Sequence, residues 1–183
     1  MTTDNPAPLI LCFGDSLTAG YQTPSPAHPS GQDSPYGYVL QEYLGVRGRV
    51  EVSGICGETT GEMVLRFRRA VLERHPQMVI ILGGTNDLGW NADPAEIMRN
   101  LIKMYESARA SSIVPVPVTV PSIRVDLGGE NPDAAAWLAE PYSNDGLHLT
   151  SSGYRLFGRL VYEELFATDP AVSGDASSNL SQP

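Results

Sequence analysis

Sulfur is scarce in this chain: Cys12 and Cys56 are its two cysteines in 183 residues. That excludes a disulfide-built scaffold and leaves stability to a packed core. Both thiols are read as small buried hydrophobes. Positive charge is scarce too, 12 basic against 21 acidic side chains, for a formal net charge of -9. A surface of that sign repels a phosphate backbone, so no nucleic-acid partner is expected. No apolar run approaches the roughly 20 residues that span a bilayer, which argues against integral membrane association. The N-terminus carries no basic segment ahead of an apolar one, and a cytoplasmic location is expected. The three histidines, His28, His75 and His148, have no metal-ligand spacing. Neither a lysine-bearing P-loop nor Gly-x-Gly-x-x-Gly is present, so no metal and no cofactor are expected. No heptad is sustained, and a monomer is the default.

What is there alternates. Residues 9–13 form a continuous apolar run ending in glycine, as an internal parallel strand covered on both faces would. Residues 23–35, with Pro24, Pro26, Pro29 and Pro35, form a loop. A helix over 36–44 and a strand over 50–55 follow. Thr59 and Glu62 have the spacing of a capping box that opens a helix running to about His75, where Pro76 favours a stop. Arg66, Arg68 and Arg69 then read as that helix's solvated face. Residues 78–82 are another buried strand, ending at Gly83-Gly84.

Asp93-Pro94-Ala95-Glu96 supplies a cap, a proline at the first helical position and a matching acid. The helix it opens turns Ile97, Leu101, Met104 and Ala108 to the core. Residues 113–120 read as a strand in which Pro115 and Pro117 remove ladder donors, making it an edge or a bulged segment. A last helix over 153–166 is expected to bury Leu156, Leu160, Val161 and Leu165. The pattern predicts an α/β fold, a central parallel sheet between helical layers, with ligands bound beyond the carboxyl ends of the strands. One domain spans 9–166, with an N-terminal extension over 1–8 and a disordered tail over 167–183.

Three short stretches carry the chemistry: Gly14-Asp15-Ser16-Leu17, Gly84-Thr85-Asn86-Asp87 and Asp145-Gly146-Leu147-His148. They supply a hydroxyl nucleophile, an amide donor, a carboxylate and an imidazole, each where a strand gives way to a loop or helix. Two residues between Asp145 and His148 let one tight loop position both. Asp15 and Asp87 are read as anchors of their own turns. His28 is read as a surface histidine and His75 as a helix-end contact.

With the loop around Gly57, these blocks resemble, in order, the four sequence blocks of the SGNH, or GDSL, hydrolases. That resemblance runs from about residue 9 to 166. It implies a flavodoxin-like three-layer sandwich and a serine esterase, lipase, thioesterase or carbohydrate deacetylase. It also implies Ser16 as nucleophile, Gly57 and Asn86 as oxyanion donors, and His148 with Asp145 completing a triad. The expected partners are a small or accessible acyl ester and water. Transfer to an alcohol, or catalytically weak binding, are the alternatives. Tyr21, Tyr36, Leu88 and Trp90 are expected to border the substrate cleft, although the tyrosines and Trp90 equally suit closing the scaffold.

This chain departs from the family in three places. Ser53 stands where many relatives have asparagine, and Leu149 follows the histidine where proline is common. The stretch 122–144 is short, with one helical candidate around 134–139. Trp137 there is expected either in the core or, with Tyr142, near the cleft.

Overall fold

The structure, a computed structural model, describes residues 6–26, 29, 33–119 and 142–167. His28, the helical candidate with Trp137, and the tail beyond Ala167 lie outside the described residues. Four parallel strands, β1 (Leu9–Gly14), β2 (Arg49–Gly54), β3 (Met78–Leu82) and β4 (Val114–Pro117), form a sheet in the order β2-β1-β3-β4. The helices are α1 (Ser16–Ala19), α2 (Tyr36–Leu44), α3 (Thr60–Ala70), α4 (Thr85–Gly89), α5 (Pro94–Ala110) and α6 (Ser151–Phe166).

Strand β1 explains the layering. Every residue of it is buried, and its side chains alternate between two cores, as strand geometry requires. Ile10 and Cys12 join Tyr36, Leu40 and Leu44 of α2 and Tyr154 and Val161 of α6 on one face. Leu11 and Phe13 join Met63 and Phe67 of α3 and Met104 and Ala108 of α5 on the other. The sheet is therefore sandwiched between two helical layers, which is why 9–13 reads as unbroken apolar sequence.

Local signals set the helix ends, with two ends and two burials corrected. The capping box of α3 is formed: Thr59 Oγ1 accepts from the Glu62 amide and Glu62 Oε2 from the Thr59 amide, at 3.4 and 2.9 Å. That helix ends at Ala70 rather than near His75. Val71 leaves helical geometry to bury itself completely, and Leu72–Arg74 tighten into a 3-10 turn. Helix α6 begins at Ser151, two residues earlier than expected, because Thr150 caps it by accepting from Gly153 N at 3.2 Å. Its inner face is built from Tyr154, Gly158 and Val161, and Leu160 is exposed. Cys56 is likewise exposed, whereas Cys12 is buried and burial pushes its thiol up to about 12.

Among the described residues, β4 is the outermost strand on its side, paired with β3. The amides of Val114 and Val118 donate to Gln77 and Ile81, both at 3.0 Å. Alternation then turns the nitrogens of Pro115 and Pro117 away from β3, so the two prolines cost no bond in that ladder. Because β2 and β3 flank β1 on opposite sides, the chain reverses direction across the sheet at the carboxyl end of β1. This switch point is where open α/β sheets bind ligands. Gly54 makes room there: a Cβ on it would lie 2.2 Å from Ala19 N, so only glycine lets α1 pack on the end of β2.

Candidate active site

Ser16 opens α1 directly after β1. Asp15 caps this turn, its Oδ1 accepting from Leu17 N at 3.0 Å. The Asp15 carbonyl accepts from Thr18 and Ala19 at 3.1 and 3.0 Å. The resulting sharp bend presents Ser16 Oγ to the loop before α6, where His148 Nε2 lies 3.0 Å away. On the far side of the ring, His148 Nδ1 is 2.8 Å from Asp145 Oδ2. A carboxylate can only accept, so Nδ1 carries the proton and the Nε2 lone pair faces the serine hydroxyl.

Asp145 is held ionised. Burial opposes its charge, but hydrogen bonds from Thr23, His148 and two amides outweigh it and keep the carboxyl well below its usual range. The amides are those of Leu147 and His148, at 2.8 and 2.7 Å from Oδ1. Ser143 closes the loop, its Oγ donating to the His148 carbonyl at 2.7 Å and accepting from Gly146 N at 2.8 Å. Tyr21 packs edge-on against the imidazole, with ring centroids 4.7 Å apart.

The second half of the site lies beyond β2 and β3. Gly57 has φ +79°, a conformation glycine adopts without strain, and it is exposed. Asn86 sits in α4, and its Nδ2 donates to the Glu58 carbonyl at 2.9 Å, tying it to the residue after Gly57. Asp87 anchors the same turn by accepting from Thr60 N and Thr60 Oγ1, the latter at 2.6 Å. The Gly57 loop is tied in turn to the Ser16 turn, since Ile55 N donates to the Gly14 carbonyl at 3.0 Å.

Asp15 is fully buried and, among the described residues, its Oδ2 has no hydrogen-bond partner. Burial lifts its pKa to about 6, opposed by the hydrogen bond from the Leu17 amide and further raised by the Glu58 charge.

Of the expected cleft residues, Tyr21 lies at the site, while Leu88 and Trp90 are exposed on and just after the helix carrying Asn86. Tyr36 is corrected: it is completely buried, edge-on to Phe157 with centroids 4.8 Å apart, and closes the scaffold.

Three contributors escaped the sequence reading. Thr23, in the proline-rich loop, donates to Asp145 Oδ2, and no local signal marks it. Glu58 and Arg66 form an ion pair of largely buried side chains. Arg66 is thus no part of the solvated face, unlike Arg68, which is 84% exposed. Ser53 enters the same network, its Oγ accepting from Arg66 Nη1 at 2.8 Å.

Comparison with known proteins gives a consistent picture. The family model described as GDSL-like Lipase/Acylhydrolase matches residues 12–128. Esterase TesA of Pseudomonas aeruginosa is 31% identical over 115 residues, 60% of this chain and 53% of that protein. The uncharacterized lipoprotein YqeF of Bacillus subtilis is 29% identical over 118 residues, 60% of this chain and 47% of that one. The chain thus spans about half the length of the curated relatives it matches. A putative lipolytic protein of the G-D-S-L family from Desulfitobacterium hafniense superposes with TM-score 0.68 at 18% identity, covering 86% of this chain and 99% of that one. That likeness is one of fold. Among the described residues, no helix is long and apolar enough to cross a membrane.

Proposed function

The chain belongs to the GDSL-like lipase/acylhydrolase family, and from that premise we propose that it is a serine ester hydrolase acting through an acyl-enzyme on Ser16. The observation that carries this reading is the unbroken relay from Asp145 to His148 to Ser16, at 2.8 and 3.0 Å. His148 Nε2 takes the hydroxyl proton as Ser16 Oγ bonds to the ester carbonyl carbon. The resulting imidazolium is stabilised by ionised Asp145. Collapse of the tetrahedral intermediate breaks the bond to the alkoxy oxygen, and His148 returns the proton to the departing alcohol. Water then attacks the acyl-enzyme through the same histidine, leaving a carboxylate and free serine.

Negative charge on the carbonyl oxygen falls to the amides of Ser16 and Gly57 and the Asn86 side chain. Asn86 has two N–H bonds on Nδ2. One is spent on the Glu58 carbonyl, which orients the other without reorganisation during the reaction. Tyr21 beside the imidazole, with Leu88 and Trp90, supplies the apolar border of a site for short, accessible acyl groups. Esters of carbohydrates and thioesters fall within the same chemistry.

Covalent labelling with a serine-directed fluorophosphonate, alongside hydrolysis of acetyl, butyryl and longer acyl esters, tests the proposal. Wild type is expected to label and turn over, and Ser16→Ala to do neither. Turnover that persists in Ser16→Ala refutes the acyl-enzyme. Product analysis in the presence of added alcohol separates hydrolysis from transfer.

A further inference from the structure

Arg66 projects from α3 into the space between the strand ends and the Gly57 loop. Its Nε and Nη2 donate to the two carboxylate oxygens of Glu58 at 2.5 and 2.6 Å. Nη1 donates to Ser53 Oγ at 2.8 Å, and Nη2 also reaches the carbonyls of Ser53 and Gly14, both at 3.1 Å. The guanidinium lies over the Phe13 ring, with Cζ 4.1 Å from its centroid. One planar group therefore links the end of β1, two residues before Ser16, with the end of β2 and with the residue adjoining Gly57. Only arginine offers donors in that fork, since a lysine ammonium is a single point of charge.

The network ends one residue short of Gly57, at Glu58. Among the described residues, a Cβ added at Gly57 would meet nothing within 4 Å, so the side of that residue away from its own backbone is open. Its bearing comes from its neighbours. Ile55 N is bound to Gly14, Glu58 N donates to the Ile55 carbonyl at 3.3 Å, and the Glu58 carboxylate rests in the Arg66 fork. The carbonyl of that same Glu58 accepts from Asn86. Glu58 is thus joined to both expected oxyanion donors, to Gly57 by a peptide bond and to Asn86 by a hydrogen bond.

We infer that Arg66 is a positioning residue for the oxyanion pocket, acting through Glu58 to set the spacing between the Gly57 amide and the Asn86 side chain. The inference rests on the ester-hydrolase reading above. A surface ion pair would contribute little, but the side chains of Arg66 and Glu58 are 18% and 6% exposed. Removing Arg66 alone therefore strands a buried carboxylate and destabilises the fold whatever its effect on the reaction.

The test separates the two effects by replacing the pair together. Buried ion pairs exchanged for apolar residues of similar volume commonly keep or gain stability, so Arg66→Met with Glu58→Met is the first variant. Arg66→Lys, which leaves Glu58 a cation without the fork, carries the same readouts if the double variant does not fold. Each is measured for melting temperature, kcat and KM with an acetyl ester, in wild-type and Asn86→Ala backgrounds. With Asn86 intact, kcat is expected to fall roughly 10- to 100-fold with KM changed less than about 3-fold, the signature of lost transition-state stabilisation by a misplaced group. Once Asn86 is gone the pocket is already broken, and the same change is expected to cost less than about 3-fold more.

A folded variant with wild-type kcat, or equal losses in both backgrounds, overturns the positioning role. Wild-type turnover that survives Ser16→Ala instead overturns the ester-hydrolase reading beneath it. Turnover that requires Ser16 but ignores the Arg66 variants sinks the positioning role alone.

Discussion

Replacing Asp15 by asparagine should make the protein's stability less dependent on pH, and in a stated direction. Asp15 is fully buried, one oxygen capping Leu17 N and the other without a partner among the described residues. Its pKa rises from 3.8 to about 6 on folding, with burial the largest cause. The native state therefore binds a proton more tightly than the unfolded chain does. Stability is fullest below the unfolded pKa and is lost as pH rises through the folded one. A shift of about 2 units corresponds to about 3 kcal/mol, of which about 2 kcal/mol is lost between roughly pH 4 and pH 7.5.

Asparagine keeps the cap through its carbonyl oxygen and carries no charge. Its amide nitrogen, placed where Oδ2 now lacks a partner, adds a penalty that does not vary with pH. The informative quantity is therefore the change with pH in the difference between wild type and Asp15→Asn, read by urea denaturation across that range. The variant should gain on wild type by about 2 kcal/mol on going to the higher pH. Parallel stability profiles would show that the native carboxyl titrates like an exposed one, and the burial argument would fail.

Two further substitutions probe the site's supports. Thr23→Val removes a donor to the Asp145 carboxylate and should lower kcat/KM roughly tenfold, about 1.4 kcal/mol, the scale of one hydrogen bond to a charged group. It should also destabilise more at neutral than at acid pH, because a lowered carboxyl pKa contributes stability that is lost as pH falls. Steady-state kinetics and melts at two pH values check both, and an unchanged rate would show that Thr23 does not help hold the loop. Gly54→Ala would bring a methyl within 2.2 Å of Ala19 N and should cost about 1–3 kcal/mol of stability, the usual range for overpacking. It should also slow phosphonate labelling of Ser16. A wild-type melting temperature would mean that α1 can shift freely.

What could be read along the chain was whatever a few neighbouring residues decide. The strand at Met78–Leu82 and the helix at Tyr36–Leu44 have the expected bounds, since each is an apolar or periodic run between strong breakers. The Asp145 to His148 spacing spans three residues, so a local turn suffices to pair them. Contacts made by distant segments carried no such mark. Thr23 and Asp145 are 122 residues apart, and Arg66 and Gly14 are 52 apart. The same limit explains Tyr36, whose aromatic ring beside a proline-rich loop suits a cleft wall and the scaffold equally until α6 is laid over it.

These unmarked contacts divide the site by layer. The Ser16–His148–Asp145 relay is braced from the side of α6. There Tyr154 OH donates to the Tyr21 carbonyl at 2.8 Å, and Ser151 N donates to Gln22 Oε1 at 2.9 Å. Both hold the segment that brings Tyr21 and Thr23 to the loop carrying Asp145 and His148. The Gly57 and Asn86 half is braced from the opposite layer, by Arg66 and Thr60 of α3. The two halves meet at the Ser16 turn, where the Gly14 carbonyl accepts from both Ile55 and Arg66. The two layers cover opposite faces of one sheet, and the site at the carboxyl end of β1 lies where both can reach it. On the proposed mechanism, the groups assigned to proton transfer and those assigned to charge stabilisation are therefore braced from separate layers, and damage to one layer should degrade its own half of the chemistry first.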